Sequence, residues 1–172
     1  MKTQKTVLAK YSVQWMVRLA ILIAITIGFQ MFKLPQLITG PVVNLMLFLS
    51  CILLGLWGGI VLGLITPLIA LLAGIMPRAE VVPVIMVANA VLVISFYVLR
   101  AKQKQFYRTL LGILVGSLLK YYVFAIAVAF ILNLPPPAAQ MLGVPQLFTA
   151  LSGGALSVMV EKALSKTDLL KQ

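Results

Sequence analysis

Apolar runs long enough to cross a lipid bilayer follow one another along this chain, separated by short loops that hold most of its charge. A helix needs roughly 20 predominantly apolar residues to traverse the hydrocarbon. Composition agrees with that pattern. Hydrophobic residues make up 62% of the 172 and charged residues only 10%, whereas a soluble domain is nearer about half apolar and about a quarter charged. Mean hydropathy is +1.11. The expected fold class is an all-α integral membrane protein: a single membrane domain over residues 1–172, built as a bundle of about six transmembrane helices. That leaves no room for a separate soluble catalytic or ATP-binding domain.

Helix breakers place the spans. The first runs from about Ser12 to Phe32 and is ended by Lys33 and the Pro35–Pro41 stretch, because proline removes a backbone donor and disfavours helix in the residue before it. The second, about Val42 to Leu54, reaches a tight Gly55-Leu56-Trp57-Gly58-Gly59 turn, and the third continues over 58–76 with Pro67 as a kink. The fourth starts at Pro83, a favoured first-turn position, and ends at Leu99. The fifth covers Thr109–Leu132 and stops before Pro135-Pro136-Pro137, and the sixth covers Pro145–Leu164. The first run is too long for a signal-peptide core and lacks a small-residue cleavage site, so we read it as a retained helix.

The net charge of +11 raises the question of nucleic acid, but its distribution points to topology. Lys2, Lys5, Lys10, Arg100, Lys102, Lys104, Arg108, Lys162, Lys166 and Lys171 fall on one side of the predicted bundle, and only Lys33 and Arg78 on the other. Positive residues concentrate in cytoplasmic loops. Both termini are therefore expected in the cytoplasm, in the inner or plasma membrane of a prokaryote. The basic loop is read as a topology determinant in preference to a lipid or nucleic-acid contact, and no nucleic-acid partner is expected.

The chemical inventory narrows function further. There is no histidine, a single cysteine (Cys51, inside an apolar run) and three acids, Glu80, Glu161 and Asp168. Neither a metal site nor a Ser-His-Asp constellation can be assembled from it. The chain is expected not to be an enzyme and to need no cofactor or metal.

Lys120 carries the most information. It falls near the middle of the fifth span with no acid at comparable depth in any span. An ammonium there costs a few kcal/mol, so it faces a cavity, a partner or the bundle interior. Snorkelling, or carbonyls freed at kinks, would satisfy it without function; the preferred reading is a cation awaiting an anionic group. Tyr121 adjoins it as a candidate for a small-ligand pocket, with ordinary packing as the alternative. Asn89 and Asn44 lie in the outer halves of spans four and two, where buried amides need partners, either in neighbouring helices or in a shared cavity. Finally, Leu34-Pro35-Gln36-Leu37-Ile38-Thr39-Gly40 is echoed by Val144-Pro145-Gln146-Leu147-Phe148-Thr149-Ala150. Both stretches re-enter the membrane from the outer side, where helix starts favour anions, so Gln36 and Gln146, with Thr39 and Thr149, are candidates for a common mouth.

Small residues form a separate pattern. Ala20-Ile21-Leu22-Ile23-Ala24, with Gly28 one turn further, lines one face of the first span. Such faces allow close helix approach in lipid, either within the bundle or against a partner's helix. Gly59 with Gly63, Gly112 with Gly116, and Ala150 with Gly154 are read as packing inside the bundle.

Taken with the size and the six expected spans, the Ala20/Ala24 motif, Gly40-Pro41-Val42-Val43-Asn44, Leu54-Gly55 through Gly63 and Pro67, and Pro83 through Asn89 resemble the substrate-binding S components of energy-coupling factor (ECF) vitamin transporters. The resemblance implies a membrane subunit that binds a small organic nutrient from outside. It also implies that the alanine motif docks on a transmembrane coupling subunit, which two separate ATPase subunits drive. The nickel and cobalt members use a histidine-bearing amino-terminal segment, and this chain begins Met1-Lys2-Thr3 without histidine, which points away from a metal substrate. Lys120 favours a ligand with a carboxylate or phosphate. The alternative is a non-transport scaffold subunit with no ligand cavity.

Overall fold

The computed structural model describes residues 2–75, 78–101 and 106–166, with side chains from residue 12 onward apart from that of residue 101. Met76, Pro77, Lys102, Lys104, Asp168 and Lys171 lie outside the described residues. Every regular element among the described residues is helical: α1 (Lys2–Met31), α2 (Gln36–Leu72), a 3-10 turn (Ala79–Val81), α3 (Val82–Ala101), α4 (Phe106–Phe130), α5 (Pro136–Met141) and α6 (Val144–Leu164). Five helical stretches among them are long and apolar enough to cross a membrane. Helix is what such runs must form, since lipid offers no partner for an unpaired peptide group.

The separate second and third spans expected over 42–54 and 58–76 are one helical run, Gln36–Leu72, broken at a single residue, Gly55 (φ 77°, ψ −169°). Only glycine adopts that backbone conformation without strain. The two arms fold back on each other there. A Cβ added to Gly63 would come within 3.2 Å of Leu47 Cδ2, and one on Gly59 within 3.3 Å of Cys51 Cβ. In a straight helix residues 47 and 63 would stand about 24 Å apart. Beside the break, Trp15 Nε1 of α1 donates to Leu54 O at 3.0 Å.

Two further boundaries differ from expectation. α2 begins at Gln36 with Pro35 as its cap, and Pro41 sits inside it, because proline forfeits one helical hydrogen bond without ending a helix that neighbours support. α1, by contrast, ends as expected just ahead of Lys33, which takes a left-handed conformation (φ 51°). The triple proline stops α4 but also starts the short α5, with proline in its first turn, as proline's fixed φ favours.

α2 is the centre of the bundle, packed by α1, α3 and α6, while α4 closes the ring against α3 and α6. Glycines set these approaches. A Cβ on Gly153 of α6 would lie 2.6 Å from Pro41 O, and one on Gly116 of α4 would lie 3.0 Å from Leu92 O. The main core gathers Leu47, Phe48, Leu62, Leu92, Val93 and Phe96, with the Phe48 and Phe96 rings edge to face at 4.9 Å. At the end of the bundle shared by the starts of α1 and α4, Arg100 of α3 pairs with Glu161 of α6. The opposite end is hollowed by a cavity.

Candidate functional site

Lys120 is 3% exposed and lies about 15 Å in from the C-terminal end of α4 at the helical rise. Its Nζ donates to Asn44 Oδ1 of α2 at 2.7 Å and to Asn89 Oδ1 of α3 at 2.9 Å. One ammonium thus ties three helices together. The two amides are oriented from behind. Asn44 Nδ2 donates to Gly40 O at 2.9 Å and, more weakly, to Thr149 Oγ1 at 3.5 Å. Asn89 Nδ2 donates to Gly63 O at 3.1 Å. With both NH₂ groups turned to acceptors, both carbonyl oxygens must face Lys120.

Pro67 explains why Gly63 O is available. In a regular helix that carbonyl accepts from the N–H four residues on, and residue 67 has none to give. The kink expected at Pro67 therefore supplies the acceptor that fixes Asn89, which in turn fixes Lys120. An ammonium has three donors. Two are engaged, and the third has no partner among the described residues.

Above Lys120 opens a cavity of about 410 Å³, within the range that holds small organic ligands. Asn44, Asn89 and Lys120 form its floor, with Phe124 one helical turn on from Lys120. Val43, Val81, Ile85, Leu134 and Leu142 make apolar walls, and Gln30, Gln36, Thr39, Arg78 and Gln146 supply polar groups toward the mouth. All these residues come from the same end of the bundle: the end of α1, the starts of α2, α3 and α6, the last turns of α4, and α5. No carboxylate occurs among the described lining residues. Arg78 is half-exposed and paired with Glu80 at 2.9 Å.

Lys120, Asn89, Asn44, Gln36 and Gln146, selected from sequence, all line this one cavity. Tyr121 does not. It follows Lys120 directly and so points about 100° away around the helix, where its ring meets Tyr122 edge to face at 5.7 Å. Phe124 holds the position on the cavity face instead. Thr39 of the echoed segment lines the cavity with Gln36 and Gln146. Sequence reasoning passed over Gln30 and Arg78, although Gln30 had a signal, a polar residue in the last turn of an apolar run.

The small-residue stripe separates cleanly from the packing glycines. Ala20, Ala24 and Gly28 are exposed, and a Cβ on Gly28 would meet nothing within 4 Å. Met16, Val17, Ile21 and Ile25 are exposed beside them. Packing within the bundle does not account for this face.

Residues 14–164 match the family of ECF transporter substrate-specific components. The chain belongs to that family. It is the substrate-binding membrane subunit of an ECF transporter, a multi-pass component whose family works with membrane coupling and ATPase components and a small-molecule substrate; the family is not one of enzymes. No curated protein and no solved structure matches the chain.

Proposed function

We propose that this S component captures a small organic anion, a vitamin or precursor bearing a carboxylate or phosphate, from outside a prokaryotic plasma membrane and hands it to an ATP-driven coupling module. The observation that carries the reading is the cation on the cavity floor: Lys120, held by two amides, with one donor left to offer. A buried charge without an acid partner is tolerated where it pairs with something, and a ligand's anionic group supplies that partner. Apolar walls then bury the rest of the molecule, as in most small-ligand sites. The first turns of α2 and α6 add helix starts, which favour negative charge.

Counting the two arms of α2 separately turns the five long helical stretches into six crossings. The cavity then opens on the side away from the basic loop and both termini, which the charge bias assigns to the outside. The exposed face of Ala20, Ala24 and Gly28 serves as the docking surface for the coupling subunit, itself driven by two ATPases in trans.

Uptake tests this directly. Proteoliposomes that combine this chain with a coupling subunit and two ATPases accumulate, with ATP, the small molecule that the purified chain retains. Equal accumulation without this chain would overturn the proposal, and a chain that retains no molecule under gentle extraction would favour the scaffold reading.

A further inference from the structure

The cavity's unused hydrogen-bonding groups are few and of opposite kind. On the floor, Asn44 Nδ2 donates to Gly40 O and Thr149 Oγ1 and Asn89 Nδ2 to Gly63 O, and both amide oxygens accept from Lys120. Two donors remain, the third N–H of Lys120 and the second N–H of Asn89 Nδ2. The lining also holds one acceptor in the converse condition: Gln30 Oε1, in the last turn of α1, is buried with no hydrogen-bond partner. A buried acceptor left unmade costs about 1–3 kcal/mol, so it marks where a ligand's donor belongs.

The chemistry of the anion is set by that count. A phosphate presents three strong acceptor oxygens, and the floor has only two donors for them. Arg78 is engaged with Glu80 at the exposed rim, and Gln36 and Gln146 stand in the first turns of their helices, above the floor. A carboxylate, whose two oxygens face those two donors with one on Lys120, is the better match. Between the two polar ends the walls are branched aliphatic side chains such as Val43, Ile85 and Leu142, and Phe124 is the one aromatic ring among the described lining residues. No second ring is there to sandwich a flat heterocycle.

Resting on the reading of this cavity as the substrate site, we infer that the ligand is a largely aliphatic monocarboxylate with an N–H or O–H donor at its far end, its carboxylate held by Lys120 and its donor by Gln30 Oε1. Gln30 is then the specificity-determining residue. It also lies on α1, the helix that carries the Ala20/Ala24 stripe, so a bound ligand bridges α1 to the floor of the cavity.

The test is calorimetric titration of the full chain in lipid nanodiscs with octanoate, 8-hydroxyoctanoate and octyl phosphate. Wild type binds 8-hydroxyoctanoate about tenfold more tightly than octanoate, the size of one hydrogen bond to a group otherwise left unpaired, and binds octyl phosphate most weakly. Gln30→Met brings the ratio of the first two to one, and Gln30→Glu, which keeps an acceptor, preserves the preference. A ratio of one in wild type, a ratio that survives Gln30→Met, or tightest binding of octyl phosphate overturns the assignment. If none of the three binds while native mass spectrometry shows another molecule retained, the assignment falls and the capture reading stands. If nothing binds and nothing is retained, both fall.

Discussion

Replacing Lys120 with methionine removes the ammonium while keeping most of the side chain's volume, and the structure sets the size of each consequence. For ligand, the loss is the charge-assisted hydrogen bond from the third N–H. Hydrogen bonds to charged groups contribute about 1.5–3 kcal/mol, and 1.4 kcal/mol is a factor of ten, so the dissociation constant rises about ten- to a hundredfold. For the fold, two effects oppose. Asn44 Oδ1 and Asn89 Oδ1 lose their donor, at about 1–3 kcal/mol each. Removal of a charge from mid-membrane returns about 2.5–3.5 kcal/mol on insertion scales. The two largely offset, and Lys120→Met remains folded with a Tm within a few degrees of wild type. Calorimetric titration in nanodiscs, with the molecule that the wild-type chain retains through gentle extraction, measures the first effect, and thermal unfolding of the same samples measures the second. Unchanged affinity with an intact fold would remove Lys120 from the site. A collapse of Tm would show that the ammonium is chiefly a structural tie between α2, α3 and α4.

Ala20→Leu/Ala24→Leu abolishes co-purification with a coupling subunit while ligand affinity and Tm stay unchanged, because that face is exposed among the described residues; full assembly of the double variant would refute the docking role. Gly153→Leu lowers Tm steeply or prevents folding, since even a Cβ would lie 2.6 Å from Pro41 O, whereas Gly28→Leu on the exposed face leaves Tm unaltered; similar Tm values for the two would contradict the packing account. Trp15→Phe destabilises by about 0.5–1.5 kcal/mol by removing the hydrogen bond to Leu54 O beside the break, measured by chemical or thermal unfolding. Pro67→Ala restores an N–H that competes with Asn89 Nδ2 for Gly63 O, and so weakens ligand binding more than it changes Tm; Tm loss without an affinity change would detach Pro67 from the site.

Much of this site was legible because membrane insertion penalises polarity so heavily. Lys120, Asn44 and Asn89 stood out as polar groups in apolar runs, and the three converge. What hydropathy could not supply was direction around each helix. Tyr121 and Phe124 are equally plausible neighbours of Lys120 in sequence, and only the 3.6-residue period, applied outward from Lys120, separates them. Pro41 looked like a helix breaker and is not, since its missing donor falls within a helix packed there against α6. Gly55, Gly58 and Gly59 together signalled a turn, and the structure assigns the reversal to Gly55 alone. The stripe of α1 and the packing glycines share one spacing, and their different fates arise from tertiary neighbours that spacing does not encode. Arg78 was counted for topology and not for the site, because its place on the cavity rim depends on how the 78–81 segment folds over the mouth.

The central claim is that an anionic ligand rests on Lys120. Native mass spectrometry of gently extracted wild type and Lys120→Met, purified side by side, tests it most directly. The account predicts a small organic acid retained by wild type and absent from the folded variant. Retention of the same molecule at equal occupancy by Lys120→Met would contradict it.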